Sequence, residues 1–300
     1  MKTKTLINAA MMMALYLVFL ILYNLGIFSF LTTIMLPLPL IIFSMMSKRT
    51  SEVIFLFIGC LVGAYFVASL FGVIATLIYG LSGLVLGLSM VKNRPYWQRL
   101  LNAAIVHVIG IPLLTFLISG TNMSDTLLGA INESLAMAEN LMPTADFSTV
   151  TAAFNRVVRE MMPTVLLLAG LISAFFTDKL AIFILKRLNL EVPATHNWQN
   201  YQLGIFLGLI YMLAQLIYGW FDLALLNIIL LNVVLLLNVL FAIQGFIVLI
   251  MFFQSRLKHR VGVVLGILIL LLGLSTLLSL IGIMDALFNY RKRFFLKSGL

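Results

Sequence analysis

The sequence predicts an all-α fold: a polytopic transmembrane helix bundle of about eight to ten spans with two amphipathic extracytoplasmic helices. Three observations predict it. First, 63% of the 300 residues are hydrophobic and 10% are charged, too little polar surface for a soluble globular domain. Second, 17 of the 19 Lys and Arg fall in six short clusters beside apolar runs. These are Lys2 and Lys4; Lys48 and Arg49; Lys92, Arg94 and Arg99; Lys179, Lys186 and Arg187; Arg256, Lys258 and Arg260; and Arg291, Lys292, Arg293 and Lys297. Basic residues at span ends mark the cytoplasmic side of a membrane protein. Distributed this way, the net charge of +9 argues against a nucleic-acid groove. Third, Gly120 to Met162 is the one long stretch too polar for hydrocarbon, and it holds five of the ten acids: Asp125, Glu133, Glu139, Asp146 and Glu160.

The elements follow in order. The first span runs from about Leu6 to Tyr23. A basic start without a small-x-small site after it reads as an uncleaved span with a cytoplasmic N-terminus. Asn24 and Gly26 turn the chain into a second span, Ile27 to Met46, which contains Pro37 and Pro39. Paired prolines free backbone carbonyls, and at membrane depth only a neighbouring helix or a cavity can satisfy them. Spans three and four fill Val53 to Val91 with a turn near Phe71 and Gly72, and span five runs from about Leu101 to Ile118. Five crossings place Gly120–Met162 outside the cell.

Within that segment Leu127, Leu128, Ile131, Leu135 and Leu141 recur at helical spacing behind a cap at Ser124 or Asp125. Pro143 breaks the pattern. Asp146 or Ser148 starts a second helix with Val150, Phe154, Val157, Val158 and Met161 on its apolar face. Such helices lie on or fold over the membrane surface, as a cover for the bundle or a gate over a ligand cavity.

Span six covers Thr164 to Leu185, and the inner loop to Tyr201 carries Glu191, Pro193, His196 and Trp198. Span seven is Leu203 to Tyr218. Gly219 to Asp222 is an outer turn with Trp220 as an interfacial anchor, and Leu223 to Phe253 is span eight. Val261 to Phe288 fits one long span, a hairpin turning near Gly273 to Ser275, or a span followed by an interfacial helix; a cytoplasmic basic tail favours the hairpin. The chain therefore reads as one membrane domain: residues 1–119 as the first five spans, 120–162 as the extracytoplasmic helices, 163–290 as the remaining spans, and 291–300 as a basic tail.

The residues that bear chemistry are sparse. There is no Walker loop, and His107, His196 and His259 make no metal spacing. The expectation is no enzyme, no catalytic residue, no metal and no cofactor. Cys60 is single, so it makes no internal disulfide. His107 sits mid-span between Asn102 and Pro112, and ionisable groups inside membranes face the bundle interior and mark pathways. Asp178, beside Lys179, reads as half of a local or interhelical ion pair. Asn227, Asn232, Asn238 and Gln244 form a polar row in span eight, with Asn227 and Asn238 nearly on one face. Tyr211 and Gln215 lie at i, i+4 on span seven. His107, Asn102, Tyr211, Gln215, Asn227 and Asn238 are thus candidates to line a small-molecule cavity; interhelical hydrogen bonding is the competing reading. Gly59/Gly63, Gly83/Gly87, Gly204/Gly208 and Gly262/Gly266 allow close helix approach, as do Ala10 and Ala14 near the basic start.

Met162-Pro163, the Pro193…Trp198 segment and the ending Gly282-Ile283-Met284-Asp285-Ala286-Leu287-Phe288-Asn289-Tyr290-Arg291 resemble the YybS-like family of bacterial membrane proteins, a domain of unknown function. That resemblance implies a bacterial plasma membrane. Asn289 stands where many relatives are expected to carry an acid. The Ala10-x-x-x-Ala14 pair and Gly80-Leu-Ser-Gly83-Leu-Val-Leu-Gly87 before a basic loop look like the S components of energy-coupling-factor vitamin transporters. This second resemblance implies uptake of a vitamin or cofactor precursor, with Ala10 and Ala14 packing on a transmembrane coupling subunit that works with separate ATPases. S components usually have six spans, so the polar insertion and the spans after Arg187 depart from the pattern. The alternative is a non-transporting scaffold or regulator, in contact with the lipid bilayer and, through its basic tail, with anionic lipid or a cytoplasmic partner.

Overall fold

In a computed structural model of the chain, residues 3–141, 147–193, 201–218, 220–221, 223–256, 259–271, 273 and 275–291 are described. Among them all regular structure is helical, as the apolar runs require when backbone groups cannot bond to water. The chain divides into two compact units. Unit 1 is Met1–Val158 with Val165–Thr195, and unit 2 is Arg159–Thr164 with His196–Leu300.

Unit 1 begins with α1 (Thr3–Asn24). The second apolar stretch is broken into α2 (Ser29–Met35) and α3 (Leu38–Ser47) around Pro37. A neighbouring helix, α9 (Met162–Arg187), supplies a partner at this break: the Thr177 hydroxyl donates to the Ile34 carbonyl at 3.2 Å. Next come α4 (Thr50–Ala75), a π-turn (Thr76–Gly80) and α5 (Leu81–Val91). They do not form one rod. Phe57 and Gly80 would lie about 35 Å apart on a straight helix, yet a Cβ on Gly80 would meet the Phe57 ring at 3.3 Å.

The reversal sits at Ala68 (φ −138°) and Ser69 (φ +52°), not at the expected Phe71–Gly72. Gly72 serves close approach instead, since a Cβ there would fall 2.6 Å from the Ala64 carbonyl oxygen. Among the described residues of unit 1, five stretches are long and apolar enough to cross a membrane: Thr3–Asn24, Phe30–Ser47, Thr50–Val91, α6 (Tyr96–Ser119) over Tyr96–Leu117, and Met162–Arg187. Because Thr50–Val91 folds back at Ser69, they form six helical legs.

The glycine pairs explain how these legs pack. A Cβ on Gly83 would meet the Pro37 carbonyl at 2.5 Å and one on Gly87 the Ile41 Cα at 3.0 Å, so α5 lies directly on α3. Gly59 and Gly63 admit Met13 and Leu17 of α1. Tyr16, Leu20, Leu40, Phe43, Cys60 and Leu185 are buried in this core. Ala10 and Ala14 are not part of it; both are exposed.

The polar interruption forms α7 (Met123–Leu141) and α8 (Ser148–Glu160), the two amphipathic helices expected. The α7 cap is Asn122, not Ser124 or Asp125: its Oδ1 accepts the Asp125 N–H at 2.9 Å and its Nδ2 donates to Asp125 Oδ2 at 2.7 Å. Ser124 instead donates to the Val158 carbonyl, 3.4 Å away on α8. Leu128 and Val158 are buried. Leu141, Val150, Phe154 and Val157, expected on the apolar faces, are exposed. Pro143 and Asp146 lie outside the described residues.

Unit 2 holds α10 (Ile205–Ile217), α11 (Ala224–Arg256), α12 (His259–Leu271) and α13 (Ser275–Phe288). Among the described residues of this unit, only Ala224–Phe253 is long and apolar enough by itself to cross a membrane; α10 and α13 are shorter apolar helices. At the chain end two helices, α12 and α13, follow one another with Gly273 between them at φ +70°. His196, Trp198, Gly219, Asp222, Lys258 and residues 292–300 lie outside the described residues, while Trp220 is exposed.

Asn232 of α11 holds the passage from α8 into α9. Its Oδ1 accepts the Thr164 N–H (3.2 Å) and hydroxyl (2.8 Å), and its Nδ2 donates to the carbonyls of Glu160 (2.6 Å) and Ile228 (2.8 Å). Asn232→Ala should cost about 1–3 kcal/mol, the desolvation cost of leaving such groups unmet. The check is the unfolding midpoint in detergent.

Candidate functional site

The interior of unit 1 brings one ionisable residue to an aromatic and hydroxyl-bearing cluster. His107 of α6 is buried. Its Nδ1 lies 3.0 Å from the Ala103 carbonyl. A carbonyl only accepts, so Nδ1 carries the proton and Nε2 presents a lone pair. Nε2 has no hydrogen-bond partner among the described residues. Gly170 of α9 lets that helix close on this spot, since a Cβ there would meet Ala104 O at 3.0 Å and His107 Cβ at 3.2 Å.

The imidazole ring meets Tyr79 edge-on at 5.7 Å, Tyr79 meets Tyr23 at 5.4 Å, and Tyr23 stacks on Phe71 at 6.3 Å. The Tyr79 hydroxyl interacts with the side chains of Tyr23 and Thr33. Tyr79 itself sits on the π-turn Thr76–Gly80, a local widening of the helix that re-aims side chains and is common at functional sites. The cluster thus draws on α1, α2, α4, the π-turn and α6. It offers one acceptor nitrogen, hydroxyls and ring faces, and none of its named members carries a formal charge.

The other candidates are placed as follows. Asn102 is half-buried on α6, about 140° round the helix from His107 at 100° per residue. In unit 2, Tyr211 is buried against Phe241, with ring centroids 5.9 Å apart, whereas Gln215 one turn later is exposed. Asn227 donates to the Phe221 carbonyl at 2.9 Å, closing the turn before α11. Asn238 is half-buried, and its Oδ1 has no hydrogen-bond partner among the described residues. Three cavities are described. One of about 190 Å³ is lined by Thr5, Asn8 and Glu52, among others. One of about 330 Å³ is lined by Met45, Lys48, Met90 and Glu191, among others. A third, also about 330 Å³, is lined by Gln202, Gly204 and Asn289, among others. None of the three includes His107 or Asn238.

One buried charge pair was half-legible. Asp178 of α9 pairs with Arg99 of α6 at 3.3 Å, both side chains fully buried. Its sequence neighbour Lys179 lies instead over the rings of Tyr96 (5.4 Å) and Phe175 (5.8 Å). The ion pair is therefore interhelical. Hydropathy alone named Asp178 but not its partner, 79 positions away.

The family described as "Predicted membrane protein (DUF2232)" matches residues 12–286. The chain belongs to that family. No match is found among the curated proteins or among the solved structures.

In this DUF2232 chain Asp285, at the end of the matched region, and Arg291, just beyond it, take part in a polar lock in unit 2. Asp285 of α13 is fully buried and receives Nε2 of Gln244 from α11 at 2.8 Å. Arg291 Nε approaches the same carboxylate at 2.9 Å, an ion pair by distance without hydrogen-bond alignment, and the Arg291 backbone N–H donates to Asp285 Oδ1 at 3.3 Å. Gln244 Oε1 accepts the Leu203 N–H at 2.8 Å, so the lock also holds the entry to α10. Tyr201, beside it, donates to the Leu240 carbonyl at 3.3 Å. Burial pushes its hydroxyl above the ordinary tyrosine range, against the opposing pull of Arg291, so it acts as a neutral donor. Asn289 adopts φ +51° and meets the Gln202 side chain. The signal for the lock was the run Asp285…Arg291 itself, an acid and a base six residues apart at the end of an apolar helix.

Proposed function

We propose that this DUF2232 protein is a ligand-binding membrane subunit for small-molecule uptake, with unit 1 in the S-component-like role. The observation that carries the reading is His107: a buried imidazole whose Nε2 has no hydrogen-bond partner among the described residues and whose ring meets the Tyr79–Tyr23 cluster beside a π-turn. A neutral molecule with a hydrogen-bond donor fits this chemistry, because an isolated charge here would be desolvated without compensation. Two features support the finer reading. Unit 1 gathers six helical legs, the number of spans usual for S components, and the polar helices become an insertion before the sixth. Ala10 and Ala14, exposed on α1, suit contact with a transmembrane coupling subunit served by separate ATPases. Charge at the span ends supports an N-terminus in the bacterial cytoplasm and α7–α8 outside the cell. The chain binds and hands over its ligand, and does no bond chemistry.

The test is thermal unfolding of the purified protein with a panel of neutral vitamins and precursors. At least one should stabilise the wild type by about 2.7 kcal/mol at a hundredfold excess over Kd. His107→Phe, which keeps the ring and removes Nε2, should lose that gain. Equal response of the two proteins to every compound contradicts the reading. The competing reading, a scaffold whose lipid and partner contacts are its whole function, predicts no stabilising compound.

A further inference from the structure

The α8 helix carries a face that neither the bundle nor the proposed ligand site uses. At 100° per residue, Val150, Phe154 and Val157 fall within an arc of about 60°. All three are exposed, at 41%, 46% and 38%. A second face is turned to protein: Val158 is buried, and Thr151 and Asn155 are half-buried. The third face, opposite the apolar stripe, carries Arg159 and Arg156. The apolar stripe is therefore not the packing face of a lid; packing is done by the neighbouring side of the same helix.

The chain fixes where this stripe lies. Glu160 ends α8 and Met162 opens α9, a helix long and apolar enough to cross a membrane. Asn232 bonds both the Glu160 carbonyl and Thr164, so the end of α8 is pinned to the beginning of that span. A helix of 13 residues is about 20 Å long and, held at that end, starts at the bilayer boundary. Charge separates it from α7. α7 carries Asp125, Glu133 and Glu139 with no Lys or Arg, whereas α8 carries two arginines and one acid. Apolar side chains on one face and arginines on the other are the marks of a helix lying in the headgroup region.

We infer that α8 is an interfacial anchor: Val150, Phe154 and Val157 insert into the lipid surface at the head of α9, while acidic α7 stays in water. The occupant of the stripe is bilayer lipid. Neither a ligand nor a protein partner is needed.

Single cysteines test this in full-length protein with Cys60→Ala. Val150→Cys, Phe154→Cys and Val157→Cys, with Thr149→Cys, Ala152→Cys and Glu133→Cys as controls, are labelled with a bimane fluorophore. The protein is placed in phosphatidylcholine nanodiscs, with and without phosphatidylglycerol and with plain or brominated acyl chains. Bromine should quench the three stripe positions roughly twofold or more beyond the controls, because only groups at the acyl boundary meet it. Stripe labels with water-like emission, or blue-shifted labels that bromine does not quench, overturn the inference; the second outcome shows a protein covering the stripe. Val150 and Val157 report independently should the Phe154 variant not fold.

Discussion

Replacing Asp285 with alanine is expected to destabilise the protein by about 3–5 kcal/mol, the cost of leaving a buried partner charge without its counter-ion. Asp285 is fully buried, and three groups converge on its carboxylate: the Gln244 amide, the Arg291 side chain and the Arg291 backbone N–H. Its loss strands Arg291, whose side chain is 8% exposed, and frees Gln244, which holds Leu203. The double variant Asp285→Leu, Arg291→Met removes both charges together and should recover most of the loss, because well-packed apolar replacements of buried pairs are often neutral. Unfolding midpoints in detergent report both results. A single variant within a few tenths of a kcal/mol of wild type contradicts the lock.

Gly282→Val and Gly245→Val are expected to be nearly as damaging, by about 1–3 kcal/mol each and more where the backbone cannot shift. α11 and α13 cross with backbone against backbone. A Cβ on Gly245 would collide with the Leu278 carbonyl oxygen, and one on Gly282 with the Phe241 carbonyl oxygen. The two glycines face each other, a Cβ on either lying 3.0 Å from the other's backbone nitrogen. No flexible side-chain tip is involved, so the helices must separate. Gly129→Ala is the control. A Cβ at that α7 position meets nothing within 4 Å, and alanine favours the helix by about 1 kcal/mol over glycine. Loss of stability at 245 and 282 with none at 129 is the expected pattern.

The spans were legible because hydropathy and charge act over whole segments. The polar interruption, the break between α12 and α13 near Gly273 and the neighbour demanded by Pro37 all follow from local composition. Contacts between distant segments were not legible. Asn232 appeared only as one of four polar residues in a row, and nothing in its own helix names Thr164 or Glu160 as partners. The Gly245–Gly282 crossing escaped because it joins single glycines on two helices, whereas the pairs that stood out were four residues apart on one helix. Gly72 resembles a turn residue in the sequence because glycine serves both turns and close approach; the reversal falls on Ser69 instead. His107 was named from its depth in an apolar run, but its neighbours Tyr79, Tyr23 and Thr33 come from other helices and carry no local sign of one another.

The uptake reading is tested most directly by purifying the tagged full-length protein from its native membranes and assaying the eluate for ATP hydrolysis. The wild type should bring down a transmembrane coupling subunit with its ATPases, and Ala10→Trp with Ala14→Trp should lose that activity while the protein itself keeps its unfolding midpoint. A wild-type eluate without ATPase, or one that the two tryptophans leave unchanged, contradicts the proposed role of unit 1.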